Sequence, residues 1–273
     1  MYVQYNLVED TPEETVAAFA GRALGLLQPG DRLVLDLRHN RGGDNSRNRA
    51  LLHAIIRHPE LQRPGSLYVL IGPATFSAAM MLALDLEKHT PAIFVGEPTG
   101  GRPNHYGDSR KLRLPHTGLT VRVSTLYWQY SDPRDARSAI EPHLVAAPSG
   151  AQWLRGEDPA MAAVLTLCAP PDGEASGTWQ GRATWLGTFD VTVRLSRQQD
   201  GWSGSIDIPK FGLGAAPLRR MNVAGTAVTW ELETPDGTFR FETRHAGAHL
   251  VGGLSQGAIE VPLVLSRSAA RGR

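Results

Sequence analysis

The chain has 273 residues, of which 41% are hydrophobic and 20% charged, and its formal net charge at pH 7 is +1. This length predicts one large domain or two smaller ones, and the balanced charge gives no support for a nucleic-acid or membrane-surface partner. The single cysteine, Cys168, excludes an internal disulfide framework, and no apolar run is long enough for a transmembrane helix. The nine histidines show no metal-ligand spacing, so we expect neither a metal nor another cofactor.

The N-terminal part of the chain alternates apolar runs with helical segments. Strands are predicted over residues 2–7 and 32–37, with an intervening helix for which Thr11 is the predicted N-cap. Gly42 and Gly43 follow the second strand and permit a backbone whose N–H groups face a ligand. A plain turn is the simpler interpretation of the two glycines.

The stretch from residue 67 to residue 102 organises the rest of this region. Apolar runs at 67–71 and 92–95 predict two buried strands, and good helix formers at 78–88 predict a helix between them. Ser77 then lies at the N-terminus of that helix, where backbone N–H groups suit a developing oxyanion. The alternative is that Ser77 is only an N-cap.

The pattern changes character near residue 169. Before it, residues 108–127 predict a β-hairpin and residues 160–167 a last helix, whereas the following segment is rich in proline, glycine and small polar residues, as linkers are. Beyond the linker, seven strands are predicted, over residues 179–186, 189–196, 202–208, 228–234, 238–244, 249–254 and 259–265. We therefore expect an α/β domain over residues 1–168, a linker over 169–177 and a small antiparallel β-barrel or sandwich over 178–273.

Five short motifs in the first 167 residues point to one family. They are VLDLRHNRGG (34–43), TFSAA (75–79), VGEPTGG (95–101), IEPH (140–143) and GEDP (156–159). In this order they resemble the catalytic domain of the C-terminal-processing (tail-specific) serine peptidases, and especially their tricorn-like relatives. Less specifically, GTWQG (177–181) and GGLSQG (252–257) resemble a lipocalin-like β-domain that is found appended to hydrolases.

The resemblance implies a crotonase-like α/β fold and hydrolysis of peptide or protein substrates. Ser77 is then the nucleophile, and the oxyanion hole comes from backbone N–H groups of the Gly42–Gly43 turn and of Ala78. The substrate-binding residues expected in the following loop are Glu97, Thr99, Gly100, Gly101 and Arg102. The family also implies an extracytoplasmic or secreted location, and we expect that an N-terminal cap segment, with any leader peptide, precedes this part in longer relatives.

The general base departs from the family pattern. One branch uses a lysine 25 residues after the serine, where this chain has Arg102, which stays protonated and could instead hold a substrate carboxylate. The tricorn-like branch uses a histidine of the first strand, where this chain has glutamine or asparagine. His105 is therefore the first candidate base and His39 the second, with Glu97 as a group that could orient a base.

Two alternatives stay open at this point. Each candidate histidine could be a loop residue without a catalytic role. The whole chain could also be a catalytically inactive relative that keeps the cleft as a binding site for a peptide or small ligand, because activity depends on the site and not on the fold.

Overall fold

The computed structural model describes residues 1–184, 188–257 and 259–268. Within these residues the strands form a five-stranded sheet, a nine-stranded sheet and a separate two-stranded ribbon. No helix in these ranges combines the length and the apolar character needed to span a membrane. The same ranges hold no group of three or more histidine, cysteine, aspartate or glutamate side chains placed to bind a metal ion.

The five-stranded sheet is parallel and forms the centre of the N-terminal region. Its strands, in spatial order, are β1 (Tyr2–Gln4), β2 (Leu33–Asp36), β3 (Leu67–Ile71), β4 (Ile93–Gly96) and β7 (Leu144–Val145). Every residue of β2, β3 and β4 is buried, as expected for continuous apolar runs in a sheet with both faces covered. The predicted strand–helix–strand unit around residues 67–95 is confirmed.

Five α-helices accompany this sheet in the described part of the chain. They are α1 (Val16–Leu24), α2 (Asn48–Arg57), α3 (Ala78–His89), α4 (Gly150–Leu154) and α5 (Pro159–Cys168). The predicted start of the first helix was wrong: Thr11 closes a turn by accepting a hydrogen bond from the Glu14 N–H, and Thr15 caps α1 by accepting from the Ala18 N–H. Both threonines have the sequence pattern of an N-cap. The helix begins after Thr15, and there the Asp10 carboxylate also accepts a hydrogen bond from the Val16 N–H.

The ribbon consists of β5 (Asn104–Arg113) and β6 (Thr120–Gln129), which pair only with each other. This confirms the predicted hairpin and extends it at both ends. Most of its side chains are exposed, in contrast to the strands of the parallel sheet.

The C-terminal region is a nine-stranded, antiparallel sheet. Its strands in chain order are β8 (Gly177–Thr184), β9 (Thr188–Gln198), β10 (Gly201–Ile208), β11 (Leu213–Pro217), β12 (Arg219–Ala224), β13 (Ala227–Thr234), β14 (Gly237–Ala246), β15 (His249–Gln256) and β16 (Ile259–Arg267). The sheet curls around a core that includes Trp179, Trp230 and Phe241. Its two edge strands, β11 and β12, are joined in the chain by Leu218, whose N–H donates to Gly204 O of β10, so the sheet is nearly closed like a barrel.

All seven predicted strands of this region are present, but two more were missed. β11 lacks an apolar alternation, and β12 has only a short one, at Met221 and Val223. Both strands pair through irregular registers, so their sequences carry little strand signal. Residues 185–186 of the first predicted strand, and residues 269–273 of the predicted domain, lie outside the described residues.

The two regions also pack against each other. A third apolar cluster joins the outer face of the parallel sheet to α5 and to the antiparallel sheet, through Val34, Tyr68, Ile93, Val164, Val251 and Val264. The predicted linker is itself bonded to the second region, since the Gly247 N–H donates to Pro170 O and the Trp179 indole donates to Ala175 O. The division at residues 169–177 stays a prediction.

Candidate active site

The turn after β2 is built on one buried side chain, Asn40. Its amide nitrogen donates to Tyr5 O at 2.8 Å, and its Oδ1 accepts from the Gly42 N–H at 2.9 Å. Its backbone carbonyl accepts from the Phe76 N–H at 3.1 Å. Asn40 therefore fixes both the glycine turn and the segment that leads to Ser77. Asn40 is not among the predicted site residues, although an asparagine between a buried strand and two glycines is a signal for such a turn.

Of the two glycines in this turn, Gly42 lies directly against the candidate nucleophile and Gly43 lies against Val8. Gly42 has φ +105° and Gly43 has φ +142°, which are backbone conformations that favour glycine. A Cβ added to Gly42 would lie 2.7 Å from Ser77 Cβ and 3.0 Å from Ala78 N. A Cβ added to Gly43 would lie 2.2 Å from Val8 O. Only glycine fits at either position, and the turn therefore adjoins Ser77.

Ser77 has an unusual backbone for its residue type. Its φ of 54° and ψ of −127° fall in a region that costs a non-glycine residue about 1–3 kcal/mol. Its side chain makes no capping hydrogen bond to α3, so a role as N-cap only has no support. Neighbouring contacts hold the segment: Thr75 Oγ1 donates to Leu37 O at 2.9 Å, and the Asn48 amide donates to Ala78 O at 2.7 Å.

The backbone N–H groups around Ser77 differ in whether they already have an acceptor. The Gly42 N–H donates to the Asn40 side chain, so it is engaged within the turn. For the N–H groups of Gly43 and Ala78, no acceptor is found in the described part of the chain. These two N–H groups are therefore available to a ligand, and their role as oxyanion donors stays a prediction.

A cavity of about 390 Å³ opens beside Ser77. Its lining includes Gly43, Ser77 and Ala78 on the side of the sheet and helix, and His105 and Trp128 on the side of the ribbon. We call this cavity the cleft. It brings the predicted nucleophile, the two available backbone donors and the first candidate base into one place.

His105 is held at the root of the ribbon. Its ring centroid lies 5.9 Å from that of Phe76, the residue before the candidate nucleophile. Its Nδ1 is buried and has no hydrogen-bond partner within residues 1–184, 188–257 and 259–268. A buried, unpaired ring nitrogen that faces no protein partner is an uncommon feature that calls for a reason.

Three predicted site residues lie apart from the cleft lining. His39 and Arg102 are exposed and Glu97 is half-buried, and none of the three borders the cavity. The Arg102 guanidinium has no ion-pair partner among the residues that the structure describes.

The predicted substrate loop also contains Thr99, Gly100 and Gly101, which pack against the segment before Ser77. Buried Thr99 accepts a hydrogen bond from the Ile140 N–H at 2.9 Å through its Oγ1. A Cβ added to Gly100 would lie 2.0 Å from Pro73 O, and one added to Gly101 would lie 3.0 Å from the Phe76 ring. The loop therefore packs against the segment before Ser77 and shapes it.

The GEDP motif connects α5 to the segment that follows β2. In GEDP, Asp158 caps α5 and pairs with Arg38 at 2.8 Å, and Arg38 also pairs with buried Asp36 at 2.7 Å. Burial alone would raise the pKa of Asp36, but hydrogen bonds from Arg38 and Tyr2 lower it overall.

In IEPH, the His143 ring serves as a hydrogen-bond acceptor. Its Nδ1 accepts from the Phe94 N–H at 2.9 Å, while the His143 N–H donates to Phe94 O. Burial lowers the pKa of His143 to about 4, so the ring is neutral at neutral pH. This histidine fastens the segment to β4 and lies outside the cleft lining.

The sequence pattern that defines peptidase family S41 matches residues 2–146. This match covers more than half of the chain, and the chain belongs to peptidase family S41. No curated protein matches the sequence.

Several solved structures are similar to part of the chain. A putative S41 protease from Bacteroides fragilis is 18% identical, with 60% of this chain and 52% of that chain covered and a TM-score of 0.38. A putative peptidase from Parabacteroides merdae is 19% identical, with 64% and 63% covered and a TM-score of 0.44. The photosystem II D1 C-terminal processing protease is 20% identical, with 54% and 42% covered and a TM-score of 0.37. The chain thus spans about half the length of the B. fragilis protease, at 52%, and of the D1 processing protease, at 42%.

Proposed function

We propose that this chain is a serine peptidase domain of the C-terminal-processing or tricorn-like type, with a crotonase-like fold, that hydrolyses peptide bonds through Ser77. Membership of peptidase family S41 supports this class of reaction. The observation that carries the proposal is the shared cleft, whose lining includes Ser77 with its positive φ, His105, and the residues Gly43 and Ala78, whose backbone N–H groups have no acceptor among the described residues.

In the proposed reaction, Ser77 Oγ attacks the carbonyl carbon of the scissile peptide bond while its proton passes to His105. The carbonyl oxygen becomes an oxyanion and accepts hydrogen bonds from the N–H groups of Gly43 and Ala78. His105 then gives the proton to the leaving amine, which produces an acyl-enzyme. Water, deprotonated by the same imidazole, releases the acyl group and restores Ser77.

His105 is the proposed base because of its position and its chemistry. It borders the same cleft as Ser77, and a neutral imidazole can accept a proton, whereas the guanidinium of Arg102 cannot. Catalytic hydrogen bonds are often long or absent before substrate binds, so contact between the two side chains is expected to form in the complex.

The proposed substrate-binding residues divide into two roles. Exposed Arg102 offers a planar fork of donors to a carboxylate of the peptide. Thr99, Gly100 and Gly101 keep the segment before Ser77 in shape, as their contacts with Ile140, Pro73 and Phe76 indicate. Half-buried Glu97 begins this loop, and its N–H donates to Ile71 O of β3.

A second candidate function is favoured by one observation. Ser77 Oγ has no hydrogen-bond partner in the part of the chain that the structure describes, so no base is already in contact with it. The second candidate function is therefore that of a binding protein, whose cleft holds a peptide or small ligand without cleaving it.

Labelling by a serine-directed fluorophosphonate distinguishes the two functions. We expect the wild type to be labelled, Ser77→Ala to be unlabelled, and His105→Ala to be labelled about 10²–10⁴-fold more slowly. His116→Ala is the matched control, because His116 lies in the exposed turn of the ribbon.

Unchanged labelling of His105→Ala would dismiss His105 as the base. Absence of labelling in a wild-type protein with a normal circular-dichroism spectrum would favour the binding protein.

A further inference from the structure

The ribbon side of the cleft holds an indole and a carboxylate as one unit. Trp128 Nε1 donates to Asp108 Oδ2 at 2.7 Å. The indole also lies on the backbone of Gly107, where an added Cβ would be 2.9 Å from Trp128 Cδ1. Asp108 itself has φ +48°, and its carbonyl accepts from Thr125 Oγ1 at 2.5 Å. The ring and the carboxylate are therefore oriented before any ligand arrives.

The described residues that line the cleft include carboxylates but no lysine or arginine. Asp44 on the opposite wall is a second carboxylate, but it already forms an ion pair with Arg47 at 3.2 Å, and hydrogen bonds from Ser46 lower its pKa. Among the lining residues that the structure describes, His105 is the one basic side chain. The Asp108 carboxylate forms no ion pair within the described part of the chain, so the ribbon wall favours a positively charged group in the cleft.

We propose that Trp128 and Asp108 form a subsite that selects a lysine or arginine side chain of the peptide next to the scissile bond. This inference rests on the proposed peptidase function and gives that function a substrate class. Trp128 and Asp108 act here as specificity-determining residues that contact the substrate.

Two interactions would recognise such a side chain. The face of an indole attracts a cation through its quadrupole, and the attraction grows when the cation is partly shielded from water. The carboxylate of exposed Asp108, held in place by the indole N–H, adds a direct ion pair at the ribbon wall of the cleft. Because the indole already orients the carboxylate, little side-chain freedom is lost on binding.

The same arrangement would reject other side chains. An apolar side chain of equal length gains no ion pair, and a glutamate side chain meets the like charge of the Asp108 carboxylate. The preferred order is therefore lysine, then norleucine, then glutamate.

Three peptidyl phosphonate diphenyl esters that differ only in the residue at the phosphonate test this order. The three residues are the analogues of lysine, norleucine and glutamate, and intact-mass spectrometry follows adduct formation on Ser77. We expect the lysine probe to react at least about tenfold faster than the norleucine probe, and the glutamate probe to react most slowly.

The decisive variant is Asp108→Asn. Asparagine tolerates a positive φ, and its side-chain oxygen can still accept from Trp128 Nε1, so this change removes the charge with little effect on the ribbon. The lysine-to-norleucine rate ratio should then fall about tenfold, towards one. Asp190→Asn removes the same charge from an exposed position in β9 and should leave the ratio unchanged. Trp128→Phe, which keeps a ring but loses the N–H donor, should lower the ratio by a smaller factor.

A binding measurement separates this inference from the proposed function. Fluorescein-labelled lysine and norleucine peptides are titrated by anisotropy against Ser77→Ala, with and without Asp108→Asn. Tighter binding of the lysine peptide, by at least about fivefold and lost in the double variant, would support the subsite even if no phosphonate labels the wild type.

Two outcomes would overturn the subsite. The first is equal labelling of the wild type by the lysine and norleucine probes, which would leave the peptidase function intact. The second is equal binding of the two peptides by Ser77→Ala.

Discussion

The candidate site joins two regions with opposite packing, the parallel sheet and the β5–β6 ribbon. All five residues of β3 are buried, whereas nine of the ten residues of β6 are exposed. The sheet and its turns carry Gly43, Ser77 and Ala78, and the ribbon carries His105 and Trp128. The buried region thus positions the proposed nucleophile and oxyanion donors, and the exposed region positions the proposed base and the specificity residues.

The difference shows how each half of the cleft keeps its shape. Around Ser77, side chains from several elements converge, so the strained backbone is over-determined. The ribbon is fastened mainly at its root, where the Asn104 amide donates to Asp132 O and its Oδ1 accepts from the Ser131 N–H. Changes in the first region should affect stability, and changes in the second should affect reaction rate or specificity.

The largest expected effect is in the centre of the buried sheet. Phe94 is fully buried in β4, and Phe94→Ala should destabilise the protein by about 3–5 kcal/mol through lost burial and a residual cavity. Urea denaturation measures this loss. Tyr127→Ala, which removes an exposed aromatic ring from the ribbon, is the matched control. Similar losses in both variants would contradict the comparison.

The second-largest effect is expected for Asn40, a buried residue that holds the glycine turn beside Ser77. Asn40→Ala removes the partners of Tyr5 O and the Gly42 N–H and should destabilise the protein by about 2–4 kcal/mol. Fluorophosphonate labelling of Ser77 should slow strongly as well, because the glycine turn loses its support. Asn6→Ala, at an exposed position, serves as the control. If the variant is destabilised but Ser77 is labelled at the wild-type rate, the glycine turn does not contribute to the reactivity of Ser77.

A smaller effect depends on pH through His143. Its pKa is lowered by burial from 6.5 to about 4, so between these values the unfolded state binds more protons than the folded state. The stability contributed by the neutral ring is complete above pH 6.5 and falls as the pH drops towards 4, by about 2–3 kcal/mol.

His143→Gln keeps a side-chain acceptor for the Phe94 N–H without the titrating ring, so its stability should fall less than that of the wild type between pH 7 and pH 4. Urea denaturation at several pH values makes the comparison, with His116→Gln in the exposed turn of the ribbon as the control. Identical pH profiles for the wild type and His143→Gln would exclude this role of His143.

The smallest expected effect is on the apolar surface of the ribbon. Leu119 is 63% exposed, and Leu119→Ala should change the free energy of unfolding by less than about 0.5 kcal/mol. Leu70→Ala in β3, a fully buried counterpart, should cost about 2–5 kcal/mol. A large loss in Leu119→Ala that varies with protein concentration would mean that a second copy covers this surface.

Several features of the fold could be predicted because their signals are local. The apolar runs predicted β2, β3 and β4, and the turn residues between polar and apolar alternations predicted the ribbon and seven strands of the second sheet. β11 and β12 could not be predicted, because they pair through irregular registers and depend on the closing of the sheet. The start of α1 was misplaced because two threonines offered equivalent caps.

For the site, the sequence by itself determined the residue types and their order: a serine at a helix start, two glycines after a strand, and a histidine after the Gly100–Gly101 loop. Only the tertiary structure decided which of them meet. It brought His105 to the cleft and left His39, Glu97 and Arg102 outside its lining, and it joined Asp108 to Trp128 across twenty residues. The physical reason is that strand and helix signals act over a few residues, whereas a cleft forms between elements whose distance is set by packing of the whole core.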